Sequence, residues 1–343
     1  MKPSLRRRTA LPARASVRTI STRLTATLAL GASLAAHAAL TVTDDTGGTV
    51  TLAAPAQRVI ALAPHTVELV YAAGGGPKLV GAVSYSDYPP AAKALPRVGS
   101  NTALDLERIV ALKPDLIVVW RHGNDERQLA KLRALGIAIF RSEPQKVDDV
   151  ATDLEKLGVL LGSEPTADTA AREYREKTAK LRVQYADRPP VNVFYQVWSR
   201  PLMTLNGTHI VSDAIALCGG RNVFADLAPL VPTVSTEAVI AANPEAIVTA
   251  DPVAATTQTG ASEGFAAGAS TSPAASGAPR EDRLEASAPE FAMWRAWPRL
   301  EAVARGNLFV LDADLIDRPG PRFALGAAAL CRDLDIARSR RPK

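Results

Sequence analysis

Residues 105–118 read Asp-Leu-Glu-Arg-Ile-Val-Ala-Leu-Lys-Pro-Asp-Leu-Ile-Val, and residues 235–248 read Ser-Thr-Glu-Ala-Val-Ile-Ala-Ala-Asn-Pro-Glu-Ala-Ile-Val. The offset is 130 throughout, so Glu107 falls on Glu237, Pro114 on Pro244 and Ile117 on Ile247. Each copy predicts a capped helix, a proline stop, an acid and an apolar strand, in step. Two unrelated helix–turn–strand units share some of this chemistry. The alternative is two related lobes, each presenting one Glu in the first turn of an equivalent helix.

Reading outward from the first copy, apolar runs predict strands at Arg58 to Ala63, Leu79 to Val83, Leu116 to Trp120 and Ile137 to Phe140. Helical patterns separate them, at Thr66 to Ala73, Asp105 to Leu112, Asp125 to Leu135 and Val147 to Leu161. Such alternation implies an α/β unit with a mainly parallel sheet. Ahead of it, Thr41 to Leu52 alternates around Gly47-Gly48 and reads as a β-hairpin. Gly74-Gly75-Gly76 follows a helix, and so reads as a helix stop rather than a phosphate loop.

Gly162-Ser163-Glu164-Pro165 ends the first block and starts a helix, with Ser163 as N-cap, running to about Ala186. Ala167, Ala170, Ala171, Tyr174, Thr178, Leu181 and Tyr185 form one narrow face; the rest is densely charged. The helix lies midway between two α/β blocks, which favours a rigid strut. The second block predicts strands at Val191 to Gln196, Ala246 to Thr249 and Leu308 to Leu311, and helices at Ile210 to Leu217, Thr236 to Ala242 and Phe323 to Leu334. The divisions expected are hairpin 39–57, first lobe 58–162, linking helix 163–188, second lobe 189–336 and a basic tail 337–343. Residues 252–289, rich in Ala, Ser, Gly, Thr and Pro, predict a flexible insert.

Composition sets the compartment and excludes some partners. Residues 1–38 hold seven basic groups and no acid, then a mostly apolar run, Leu24 to Ala36, and Ala36-His37-Ala38. This reads as a cleavable secretory signal. Removing those seven from the 40 basic residues leaves 33 against 35 acids. A near-neutral body argues against a nucleic-acid partner. Cys218 and Cys331 are the two cysteines. In an oxidising compartment an isolated pair reads as a disulfide. Two buried thiols or a metal pair are the alternatives, although two sulfurs without neighbouring ligands make a poor zinc site. The sequence holds no nucleophile elbow, phosphate-binding glycine loop or zinc-protease helix. A ligand binder, not an enzyme, is therefore expected, with its site between lobes at the carboxyl ends of the strands.

Ser84-Tyr85-Ser86-Asp87-Tyr88-Pro89-Pro90, Leu106 to Leu116, and Trp120-Arg121-His122-Gly123-Asn124-Asp125-Glu126-Arg127-Gln128 resemble the periplasmic cobalamin-binding proteins of ABC importers. The likeness continues in Cys218 to Phe224, Val234 to Glu237 and Arg318-Pro319-Gly320-Pro321-Arg322. The wider family binds siderophores, haem and cobalamin. The resemblance implies two Rossmann-like lobes joined by one long helix (a class III periplasmic binding protein). It implies a ligand, cobalamin, held in the cleft with little closure, and a monomer that does not itself span the membrane. It also implies that Glu107 and Glu237 dock on the permease dimer, which works with its ATPase subunits. A two-fold permease calls for such a symmetric pair.

The same resemblance places Tyr85 and Trp120 on the ligand. Their broad amphipathic rings suit a bulky planar macrocycle, whereas packing in a turn or core is the plainer role. Trp198 follows the first strand of the second lobe and is expected to face them. Asp314 and Arg318 match a polar loop of that family, which implies bonds to the ligand's amide side chains, whereas a solvated loop pair is the plainer role. Asn101, Val231 and Leu315 stand where that family carries aromatics, which leaves a different corrinoid, haem or a ferric siderophore as the alternative ligand. His65, His122 and His209 each sit at a loop or helix start and could border the cleft. A metal-ion carrier built on the three is a further alternative, and one of them could ligate the cobalt of a corrinoid.

Overall fold

Val59–Ala61 (β3), Leu79–Ala82 (β4), Leu116–Trp120 (β5) and Ala138–Ser142 (β6) are almost wholly apolar, as strands covered on both faces must be. They form a parallel sheet of order β4-β3-β5-β6, with Ile60 opposite Ile117 and Val118 opposite Phe140. A second parallel sheet has the order β10-β7-β11-β12, from Val191–Gln196 (β7), Gly220–Asn222 (β10), Ala246–Ala250 (β11) and Leu308–Leu311 (β12). Numbered within each sheet, the order is 2-1-3-4 in both. The computed structural model describes residues 39–100, 103–250 and 289–342. The expected signal 1–38, most of the expected insert 252–289 and Asn101 lie outside these.

The 130-residue repeat is structural. Leu106–Ala111 (α2) is capped by the Asp105 carboxylate, which accepts from Arg108 N–H at 2.9 Å. Thr236–Ala242 (α7) is capped by the Ser235 hydroxyl, which accepts from Ala238 N–H at 3.1 Å. Both helices stop on a residue in left-handed backbone, Lys113 at φ 48° and Asn243 at φ 42°, immediately before the shared proline. The amides of Asp115 and Glu245 then donate to the carbonyls of Arg58, just before β3, and Asn192, near the start of β7.

The N-terminal hairpin is Leu40–Thr43 (β1) against Thr49–Leu52 (β2), antiparallel. Pro64–Ala72 (α1), Glu126–Ala134 (α3) and Asp149–Leu161 (α4) complete the first lobe. The linking helix is Glu164–Tyr185 (α5), 22 residues, about 33 Å at 1.5 Å per residue. It buries Ala167, Ala171, Tyr174, Thr178 and Tyr185. These residues join the inner cores of both lobes into one apolar cluster. The strut is therefore packed on both sides, against α1 and α4 of one lobe and Ile210–Leu217 (α6) and Phe323–Ser339 (α10) of the other. Ser163 does not cap α5 with its side chain: its hydroxyl donates to the carbonyl of Ala73, a buried acceptor from α1's end.

Three further differences from the sequence reading have local causes. The last helix continues past Leu334 to Ser339, so Ala337–Ser339 of the expected tail are helical. Arg338 extends it by pairing with Asp335 at 2.7 Å and donating to the carbonyls of Pro189, Cys218 and Gly219. Strand β10 escaped notice because Gly-Arg-Asn carries no apolar run; β7 holds it by pairing Gly220 with Val191. Trp198–Ser199 (β8) and Leu202–Met203 (β9) form a two-residue ladder too short to show periodicity. Between the expected insert and β12, Trp294 is fully buried, and its Nε1–H donates to Gln196 Oε1 at 2.7 Å. Glu301–Ala304 (α8) and Ala313–Ile316 (α9) are single turns. Cys218 at the end of α6 is disulfide-bonded to Cys331 of α10, 113 residues on. Among the described residues, no helix is long and apolar enough to cross a membrane.

Candidate functional site

The carboxyl ends of the first sheet's strands carry His65, Tyr85, Trp120, His122 and Glu143. Tyr85, just beyond β4, is 56% exposed and held in left-handed backbone at φ 63°. That conformation costs a tyrosine roughly 1–2 kcal/mol. Such strain is found chiefly where a side chain must point a particular way. Trp120 ends β5. Its backbone N–H donates to Asn124 Oδ1 at 3.0 Å, and Asn124 Nδ2 donates to Leu62 O at 3.0 Å, which ties the ends of β5 and β3 together. The indole lies over Gly123, where a Cβ would come within 1.9 Å of Trp120 Cε3. Its edge meets the His65 ring at 5.7 Å between centroids and 86° between planes.

His65 is buried, and Nε2 has no hydrogen-bond partner among the described residues. Burial, and secondarily the Arg318 charge, push its pKa down to about 3, so it is neutral at ordinary pH. His122, two residues beyond Trp120, is half-exposed, with Nδ1 2.9 Å from Oε2 of the buried Glu143. His209 caps α6, its Nδ1 accepting from Val211 N–H at 3.2 Å. Burial, then the charge of His122, lowers His209 to about 4.

On the second lobe, Trp198 is fixed by donating Nε1–H to Arg200 O at 2.9 Å. The loop after β12 reaches across to the first lobe. Arg318 pairs with Asp314 at 2.8 Å in its own lobe, and with Asp87 at 3.0 Å and Glu68 at 3.7 Å in the other. Arg322 grips Glu68 with both arms, at 2.7 and 2.8 Å, while its guanidinium lies 4.0 Å from the centroid of the Tyr88 ring. Burial raises the Asp314 carboxyl and Arg318 opposes it. A second seam joins α6 to the loop after β6. Asp213 accepts from Val147 N–H at 2.8 Å and pairs with Lys146 at 3.2 Å.

Tyr85, Trp120, His65 and His122 thus share the rim of one sheet. Trp198, Asp314, Arg318 and His209 belong to the other lobe, and Arg318 bridges the two. The three histidines do not gather: among the described residues, no three His, Cys, Asp or Glu side chains form a group able to hold a metal ion. This corrects the reading of a carrier built on all three. Glu68, Arg322 and Glu143 were missed. Arg322 stands in the quoted Arg-Pro-Gly-Pro-Arg stretch, but its partner Glu68 is 254 residues away in an ordinary helix pattern. Val231, expected to mark a lost ring contact, is half-buried against the inner core. Glu107 and Glu237 are exposed at equivalent places in α2 and α7.

Comparison with known proteins agrees with this architecture. The model of the family described as periplasmic binding protein matches residues 59–315. The Vitamin B12-binding protein of Vibrio cholerae serotype O1 is 37% identical over 284 residues, 82% of this chain and 91% of that protein. The one from Yersinia pestis is 47% identical over 189 residues, 55% of this chain and 68% of that protein. The crystal structure of the periplasmic Vitamin B12 binding protein BtuF of Vibrio cholerae superposes with a TM-score of 0.68 at 37% identity, covering 83% of this chain and 98% of that one. The periplasmic heme-binding protein RhuT from Roseiflexus sp. RS-1 shares the fold, with a TM-score of 0.65 at 22% identity over 82% of this chain and 99% of that one. Two parallel sheets of one topology on a shared helix, matched along most of the sequence, establish that the chain belongs to the periplasmic binding protein family.

Proposed function

We propose that this chain is the periplasmic carrier of an ABC importer, capturing cobalamin or a close corrinoid between its lobes and delivering it to the permease dimer. The observation that carries the reading is 37% identity across 91% of a protein named for binding vitamin B12. In this reading Tyr85 and Trp120 are the lobe-one anchors, preset by a strained backbone and a glycine floor. Trp198, Asp314 and Arg318 are the lobe-two contacts, and ligand amides share Arg318 with Asp87 and Glu68. Two ion-paired seams between lobes favour capture without wide closure.

Glu107 and Glu237 are the docking pair in the same reading. The backbone amide of Glu237 and then the Ser235 hydroxyl hold its carboxyl below the usual range, so it meets a partner ionised. The leader directs the chain to the periplasm, where it acts as a monomer and binds its cargo without converting it.

The test is retention of colour. The purified chain, mixed with cyanocobalamin and desalted, is expected to keep the corrinoid's visible absorption. Loss of the corrinoid with retention of haem or a ferric siderophore replaces the ligand and leaves the carrier role standing. Leu315, aliphatic where the resemblance implies a ring, favours that second reading. Glu107→Ala with Glu237→Ala should leave affinity intact and weaken permease docking. Undiminished uptake by the double variant removes the pair from that role.

A further inference from the structure

The three histidines among the described residues differ in the nitrogen each leaves available. His65 is enclosed by Trp120 and by Gly320, where a Cβ would lie 3.5 Å from the histidine. His209 uses its Nδ1 lone pair to accept from Val211, so its proton sits on Nε2, which can only donate. His122 is the reverse case. Its Nδ1 lies 2.9 Å from Glu143 Oε2 without the alignment of a hydrogen bond, an ion-pair contact that favours the proton on Nδ1 and leaves the lone pair on Nε2.

The carboxylate behind it is a buried one. Glu143 is 8% exposed, and its backbone N–H, donating to Asp45 Oδ2 at 2.7 Å, anchors the main chain that carries it. A buried carboxylate behind an imidazole is the arrangement that fixes the tautomer of metal-ligating histidines and raises their basicity. His122 lies in the turn after β5, two residues beyond Trp120, at the carboxyl edge of the first sheet. Among the described residues His122 belongs to no group of three ligating side chains able to hold a free ion. It can complete the coordination of a metal already held by a chelate with one open position.

We propose that His122 Nε2 takes the exchangeable axial position of the chelated metal bound in the cleft, with Glu143 as its positioning residue. The substrate class is a cobalt corrinoid whose axial ligand is water. The Co–O bond to that water breaks, the water leaves and a Co–N bond forms from the Nε2 lone pair. The Nδ1 proton stays against Glu143, and the cobalt does not change oxidation state. This inference rests on the corrinoid reading above.

The probes are aquocobalamin, whose axial water exchanges, and cyanocobalamin, whose axial sites are blocked. With the wild-type chain, bound aquocobalamin should take on the visible spectrum of aquocobalamin saturated with free imidazole. His122→Gln and His122→Ala should lose that spectrum while still retaining cyanocobalamin through desalting, because the coordinate bond is absent from that form in the wild type as well. An unchanged spectrum of retained aquocobalamin overturns the assignment of His122 alone, as does an identical shift in His122→Gln. Retention of neither corrinoid overturns the corrinoid reading and this inference with it.

Discussion

Gly123 carries no side chain because the Trp120 ring occupies that space. Gly123→Ala would drive a methyl to within 1.9 Å of Trp120 Cε3. The ring must swing off its site while the core below is untouched. Corrinoid affinity should fall by more than about 1 kcal/mol, the usual scale for a displaced aromatic anchor. Calorimetric affinity equal to wild type would show that the ring's position does not matter. Tyr85→Gly separates binding from stability. It removes the ring and relieves backbone at φ 63°, worth roughly 1–2 kcal/mol but offset by the entropy of glycine in the unfolded chain. Affinity should drop with little change in Tm; a large loss of Tm would assign Tyr85 a packing role. His65 makes a pH prediction. Its folded pKa, about 3, lies below the unfolded value, so the unfolded chain binds the extra proton. Its stabilisation is complete above pH ~6.5 and is lost on acidification at about 1.4 kcal/mol per unit. His65→Gln should flatten the fall of Tm between pH 6.5 and 4, and parallel curves would contradict the burial argument. His209, also lowered by burial, keeps some slope in the variant.

The pairing of α4 with α5 decides how firmly the strut is held. Gly158 on α4 faces Ala167 on α5, and a Cβ at 158 would lie 2.5 Å from the Ala167 Cβ. Alanine normally gains up to about 1 kcal/mol over glycine inside a helix. Here overpacking costs typically 1–3 kcal/mol, so the contact wins and Gly158→Ala should lower the urea midpoint. A raised midpoint would mean the helices part without cost. The same narrow face explains why α5 is legible. Ala167, Ala171, Tyr174, Thr178 and Tyr185 recur at spacings of three, four and seven, while its remaining surface is charged. Strand β10 carried no such signal. Arg221 is exposed, and the pairing of Gly220–Asn222 with Val191–Val193 of β7 is what makes that stretch a strand.

At the scale of the molecule, two lobes of one topology are held by a common apolar core and two polar seams, while the disulfide ties α6 to α10 within the second lobe. The Glu68–Arg322 pair is the dominant polar tie because Glu68 is buried and gripped bidentately. Removing one partner of a buried pair costs about 3–5 kcal/mol, since the other charge stays desolvated. Glu68→Gln should therefore cost up to about that much, less what its amide oxygen recovers. The loss should persist in 0.5 M salt, where the Debye length is under about 8 Å but a buried pair is little screened. Disappearance of the loss with salt would place the pair at the solvent. The rim pair Arg318–Asp87, with Asp87 half-exposed, should by contrast contribute under about 1 kcal/mol and fade with salt.

The sequence alone determined the two sheets, the strut, the equivalence of Glu107 with Glu237 and the cysteine pair. Each rests on order along the chain: apolar runs, helical spacing, a constant offset and an isolated pair of thiols. Tertiary structure decided which charges meet and which nitrogens are free. Glu68 finds Arg322 across 254 residues, Trp120 meets His65 edge to face, and Glu143 comes within 2.9 Å of His122 Nδ1. Those outcomes depend on where two lobes bring distant side chains together and on how much water they exclude there. Spacing along the chain carries neither quantity.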